Sequence, residues 1–379
     1  GGYDSTVGVS DDSTKGNTVV TIEEGGKVGS TATSSGNVYG GALVLDAKGK
    51  IANRGDIGSA VVNGSTAINL NNVISVKSVF GGGAGYGAVS NGDVTINYNG
   101  GKVSTIYGGG DRADVHGNVN INISAGTNGK VSKIYAGGKN SDVFGKATVT
   151  FSGNGGLYNN FSGTVYGTGQ KGYITGGSEL VFDDYSGEFK GSVQAFNTVT
   201  ISGSSNVIFT KSQHKTMKGA QYVFVVEQGH TSPMLTWNKK VQYANITVKV
   251  ATEDAVDVVL IQSKYFKKDA DFSTDWITVT NDEGETLSKH AYELIYNSAY
   301  EWQVNAKGKG KWVKVRDHGT VSISYKGTNA TFNGEEEERV VLSGADDKIN
   351  VTGNLKGGLS TAGGDDFIAC LLYTSDAAD

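Results

Sequence analysis

Cysteine and proline are almost missing from this chain: its 379 residues hold one of each, Cys370 and Pro233. Without proline or a Gly-X-Y period, the 57 glycines cannot mean collagen. Strong charge is lacking as well. A net charge of −5 gives no argument for a nucleic-acid partner or a membrane surface. No apolar run approaches the roughly 20 residues a transmembrane helix needs. The chain opens Gly1-Gly2-Tyr3, without methionine, basic n-region or apolar h-region. The expectation is a leader already removed, or a sequence that starts inside a longer protein. Disorder fits poorly too, because charged residues make up only 19% and Val, Ile, Tyr and Phe recur in alternation.

The lone cysteine opens the string Cys370-Leu-Leu-Tyr-Thr-Ser-Asp-Ala-Ala-Asp379. That string resembles the read-through translation of a transposase-type sequencing adapter, so residues 370–379 are left out of the fold reasoning. Without them the chain has no cysteine, thiol catalysis has no candidate, and the net charge moves from −5 to −3 as Asp376 and Asp379 drop out. The natural C-terminus is then expected to lie elsewhere. Absence of cysteine suits a large exported bacterial protein, in which stray thiols would oxidise.

What the chain does have is a repeat. Val103-Ser-Thr-Ile-Tyr-Gly-Gly-Gly110 returns as Val131-Ser-Lys-Ile-Tyr-Ala-Gly-Gly138, with Val115-His-Gly-Asn-Val-Asn-Ile-Asn-Ile123 between them. Val38-Tyr39-Gly40-Gly41, Val79-Phe80-Gly81-Gly82-Gly83 and Val165-Tyr166-Gly167 share the grammar. The aromatic positions 39, 80, 107, 135 and 166 are separated by 41, 27, 28 and 31 residues. A period in that range is the signature of a solenoid whose units bury their faces by stacking. In Val119-Asn-Ile-Asn-Ile123 the apolar side chains take one face and the asparagines the other, the period of a strand. The outward asparagines are expected to stack in ladders along the axis. The glycines after each aromatic are expected to supply positive φ and close backbone approach at a corner. The long gap between Tyr39 and Phe80 suggests an insertion near residues 48–72. A coil of about 28 residues with two or three short strands fits a parallel β-helix better than a propeller blade of roughly 40–50.

The fold expected is therefore all-β: a parallel β-helix of about 28-residue repeats with a second, globular β-domain. Residues 1–36 read as an incomplete first coil and 37–205 as the repeat array. Residues 206–316 form the second domain, since all four tryptophans, the proline and both methionines fall there while glycine thins out. Strand-like runs within it lie at 222–226, 246–250, 256–261, 276–279, 301–304 and 311–315. Residues 317–369 return to a repetitive style, with Gly344-Ala-Asp-Asp-Lys-Ile349 echoed nineteen residues on as Gly363-Gly-Asp-Asp-Phe-Ile368.

Over roughly residues 37–205, the Val/Ile-Tyr-Gly-Gly-Gly units and the intervening alternating runs resemble the passenger regions of autotransporter-like adhesins. That resemblance implies a right-handed parallel β-helix, secreted or displayed on the surface of a Gram-negative bacterium and usually anchored by a C-terminal barrel. Gly344-Ala-Asp-Asp and Gly363-Gly-Asp-Asp are similar to degenerate forms of the calcium-binding nonapeptide of β-roll proteins. By that likeness Asp346, Asp347, Asp365 and Asp366 are candidate Ca²⁺ ligands between stacked turns. Asp347 and Asp366 stand where the nonapeptide has its third glycine. The other reading of Gly-Asp-Asp is ordinary turn chemistry, aspartate bonding nearby backbone.

Asp111-Arg-Ala-Asp114-Val-His116 is the one place in the array where acid, base and cation gather. Polysaccharide lyases and hydrolases with a β-helix fold place carboxylates and a basic residue on one strand face. The equivalent loop 28 residues on keeps only Asp142, which favours a solvated loop. The remaining histidines lack metal-ligand spacing. No nucleophile elbow or phosphate loop is present, and Gly81-Gly82-Gly83 is followed by a strand, not the helix a dinucleotide site needs. Trp237, Trp276, Trp302 and Trp312 are read as core of the second domain, with a sugar-stacking platform as the other possibility. The glutamates at 335–338 read as a solvated charge run.

The reading that results is a non-catalytic, surface-exposed or secreted bacterial β-solenoid protein of adhesin type. It would present loops to a host glycan or protein ligand, with no cofactor. The alternatives are a polysaccharide-active β-helix enzyme and a calcium-dependent β-roll structural protein.

Overall fold

The computed structural model describes residues 6–7, 16–29, 36–56, 58–124, 129–154, 161–210, 220–227, 229–237, 245–250, 257–266, 276–280, 286–287, 292–325, 329–332, 340–341, 347–352, 358–360 and 365–370. Among them there is no α-helix, and no helix is long and apolar enough to cross a membrane. The chain divides into two compact units: residues 1–222 with 238–245, and residues 223–237 with 246–379.

The first unit is a parallel β-solenoid of about six turns. One turn shows how the sequence builds it. Strand Val94–Tyr98 leads through Asn99-Gly100 into strand Gly101–Tyr107, the glycine corner 108–110 follows, the short strand Asp114–Val115 comes next, and Val119–Ser124 begins the following turn. Each of the three positions stacks on its equivalents to give a parallel sheet. In the longest sheet the inward residues fall in line from turn to turn: Ile68, Ile96, Ile121, Val149, Leu180 and Val199 are register partners in succession. All six are fully buried. A β-branched or leucine side chain at every such position fills the same slot in each coil, so the burial of one coil depends on the next.

A second sheet carries the aromatic positions. Tyr39, Phe80, Tyr107, Tyr135 and Tyr166 stack face to face, with centroids 4.9, 4.8, 5.1 and 4.5 Å apart and rings nearly parallel. Such pairs add about 0.5–1.5 kcal/mol each beyond their burial. The glycines behind them act through close approach alone. A Cβ on Gly81 would collide with the carbonyl oxygen of Gly108, and one on Gly108 with that of Ala136. Neither glycine adopts a left-handed φ, so the expected positive φ at these corners is not what selects them.

The long first interval is explained by a local excursion. Leu45 and Ile51 form an antiparallel bridge, and Asp46 Oδ1 accepts from the backbone amides of Lys48 and Lys50 at 2.9 and 2.8 Å. Residues 60–62 and 66–70 are regular strands of the solenoid, so the extra residues sit ahead of them and not across the whole of 48–72.

In the second unit, Val258–Ser263 pairs antiparallel with Gly319–Tyr325, which pairs antiparallel with Tyr292–Asn297. Leu235–Trp237 adds to Val258–Ser263 in parallel. The six strand-like runs read from the sequence coincide with observed strands to within two residues. Trp237, Leu260, Val321 and Ile323 are among the buried residues of this unit. Toward its end Asn329–Phe332, Lys348–Val351 and Phe367–Cys370 stack in parallel, as do Val340–Val341 and Leu359–Ser360. Lys348 pairs with Phe367 and Asn329 with Lys348, a register of nineteen residues per step. The Gly-Asp-Asp echo is therefore a second, shorter solenoid period.

Candidate functional site

The acid–base loop at 111–116 sits at a corner of the solenoid, between the aromatic sheet and the short sheet. Asp111 bridges to Ala84 of the preceding coil, and its carboxylate is buried. It accepts from Lys139 Nζ and Asn140 Nδ2, both at 3.1 Å, on the following coil. Lys139 Nζ also lies 5.8 Å from the centroid of the Phe80 ring. Arg112 holds a left-handed φ of 65° and donates from Nη1 to the Ile51 carbonyl at 3.2 Å. Asp114 Oδ1 accepts the backbone amide of Asp142 at 2.8 Å, and Asp142 Oδ1 in turn accepts that of Tyr173 at 2.8 Å. His116 packs edge-on against Phe144, with centroids 5.1 Å apart. Every one of these groups is engaged across a coil boundary. Lys139 and Asn140, which the sequence presented only as variation in a loop, are the partners that hold Asp111.

The hydroxyl of Tyr107 reaches along this corner to Gln170 Oε1 at 2.8 Å. Burial, then the neighbouring Tyr135 and Asp111, push its phenol up to about 12. It remains a neutral donor at any physiological pH.

Of the four aspartates proposed as calcium ligands, Asp346 lies outside the described residues, as do the glutamates at 335–338. Asp347 is fully buried, and its backbone amide donates to Asp366 Oδ1 at 3.1 Å, one nineteen-residue step along. Asp365 is exposed. Among the described residues no group of three or more His, Cys, Asp or Glu could hold a metal ion. The contact seen is a carboxylate capping an amide of the neighbouring turn.

The tryptophans separate into two kinds. Trp237 is core, and Trp276 is half-buried. Trp302 and Trp312 are 55% and 39% exposed, so the expectation of core fails for this pair. They face each other across a two-stranded antiparallel hairpin, Tyr300–Val304 with Gly310–Lys314, at 5.4 Å and an interplanar angle of 66°. Tyr300–Val304 alternates as a half-buried strand would, yet both strands of the hairpin are largely exposed. Trp302 lies against Gly310, where any Cβ would strike the indole. At the tip Asn305 Oδ1 accepts the amides of Lys307 and Lys309 at 3.0 and 3.1 Å, which fixes the turn.

The chain matches no protein-family description, no curated protein and no solved structure.

Proposed function

We propose that this is a non-catalytic β-solenoid protein of adhesin type, exported to the surface or surroundings of a Gram-negative bacterium, which binds an extracellular glycan or protein. The observation that carries this is the fate of the polar side chains on the coils. Asp111, Asp114 and Asp142 each bond to backbone or side chains of the adjacent coil, and His116 packs on Phe144. A hydrolase or lyase needs carboxylates and a base directed at one shared substrate position. Side chains spent on coil-to-coil contacts favour a scaffold. The Gly-rich repeat style, similar to autotransporter passengers, supports the surface setting.

The test couples the purified chain to beads and measures retention on immobilised mucin, matrix proteins and a glycan array. Saturable retention on at least one ligand, unchanged in Asp111→Asn, is the expected result. No retention on any of them, with turnover of a polysaccharide instead, would replace this reading with the enzymatic one.

A further inference from the structure

The Trp302–Trp312 hairpin carries more than two exposed indoles. Residues 300–318 hold Lys307, Lys309, Lys311, Lys314 and Arg316 against only Glu301 and Asp317, in a chain whose net charge is −5. Arg316 lies 4.0 Å from Glu301, and Lys314 lies 3.4 Å from Asp317. Among the described residues Lys307, Lys309 and Lys311 have no acidic partner. The segment thus concentrates positive charge and aromatic surface where the rest of the chain is weakly acidic.

We infer that this hairpin is a binding site for an acidic polysaccharide, one bearing carboxylate or sulfate groups. The inference rests on the adhesin reading and gives its ligand a chemistry. An indole is suited to the apolar C–H face of a sugar ring, and ammonium groups with no acidic partner among the described residues are suited to its anionic substituents. A lipid surface fits less well. A hairpin that enters a lipid surface carries its apolar residues at the tip, but here the tip is Asn305-Ala-Lys-Gly-Lys309 and the indoles lie further along the strands.

The experiment measures equilibrium binding of the intact chain to heparin and to polygalacturonate. Dextran, an oligo-deoxythymidine and phosphatidylserine vesicles are run beside them. Binding to at least one acidic polysaccharide and none to dextran is expected. W302A and W312A should each weaken it at least tenfold with the salt dependence kept. The double variant K309Q/K311Q should weaken it and flatten the salt dependence, because fewer counterions are released. W302F and W312F, which keep an aromatic face, should recover most of the binding. Should the tryptophan-to-alanine variants misfold, K309Q/K311Q leaves the indole pair in place and decides the matter alone. Binding unchanged in correctly folded variants overturns the inference, and so does tighter binding to the oligonucleotide or the vesicles. If mucin or matrix protein is retained equally by wild type and hairpin variants, the hairpin site falls while the adhesin reading stands. If the polysaccharide is shortened, the adhesin reading itself falls.

Discussion

Asn122 donates from Nδ2 to Oδ1 of Asn97 at 2.8 Å, and Asn97 donates in the same way to Asn69, also at 2.8 Å. Asn69 continues the line to Thr21 Oγ1 at 3.2 Å. Asn97 and Asn69 each give one hydrogen bond and receive one, and Asn122 gives one, so the ladder ties four coils together outside the apolar core. Asn97 makes two of these bonds. Asn97→Ala should therefore cost about 2 kcal/mol, at about 1 kcal/mol per bond. Asn122→Ala, which removes only the bond to Asn97 from this line, should cost about half that. Denaturant unfolding of the two variants checks the ratio, and equal losses would show that the number of ladder bonds does not set the cost.

Close coil-to-coil approach makes a second prediction. Gly108→Ala forces a Cβ into the Ala136 carbonyl and should cost about 3 kcal/mol, the upper range for overpacking. Gly308→Ala is the contrasting case: its φ is +72° but the space around it is open. That change should cost only about 1 kcal/mol of left-handed strain. Thermal melts of both variants give the order, and a milder Gly108→Ala would remove the steric account of the glycine corners.

The aromatic stack predicts a pH dependence. The Tyr107 phenol is raised to about 12 from an ordinary value near 10, chiefly by burial. The folded state then holds a proton that the unfolded chain releases above pH 10. The stability from that difference is complete below about pH 10 and is lost as pH rises toward about 12. Tyr185 and Tyr222, both raised by burial, act with the same sign. Tyr107→Phe should flatten part of the alkaline loss. Unfolding measured between pH 8 and about 12 tests this, and identical slopes for variant and wild type would show that Tyr107 is not one of the groups responsible.

At the nineteen-residue coils, Asp366 caps the amide of Asp347. Asp366→Ala should destabilise this segment by about 1 kcal/mol, and Asp366→Asn, which keeps an acceptor, by less. Unfolding in excess Ca²⁺ and in excess EDTA should coincide if capping is the whole role of the carboxylate. A large upward shift with Ca²⁺ that Asp366→Asn abolishes would move these aspartates from turn chemistry to ion binding.

The solenoid was legible because its determinants are local and repeated. Val-Tyr-Gly-Gly at a near-constant interval gives the coil, and Val119-Asn-Ile-Asn-Ile123 gives both the core face and the asparagine ladder. What failed depended on neighbours that a sequence does not name. Tyr300–Val304 alternates like a half-buried strand and Gly310–Lys314 is apolar at Trp312 and Val313, but such patterns cannot say whether a second layer covers an apolar face, and Trp302 stays 55% exposed. The glycine corners were foreseen with a mixed cause, and the structure keeps close approach and drops positive φ at Gly81 and Gly108. Asp111 read as part of a solvated loop, yet it is buried, because its partners Lys139 and Asn140 lie one coil away.

The most direct test of the central claim follows acidic and neutral polysaccharides over time in the presence of the intact chain, reading polymer molar mass and the appearance of unsaturated uronides together with the amount bound. A scaffold that binds without turnover predicts saturable binding to an unshortened polymer. A falling molar mass, or unsaturated ends that vanish in Asp111→Ala, would contradict it.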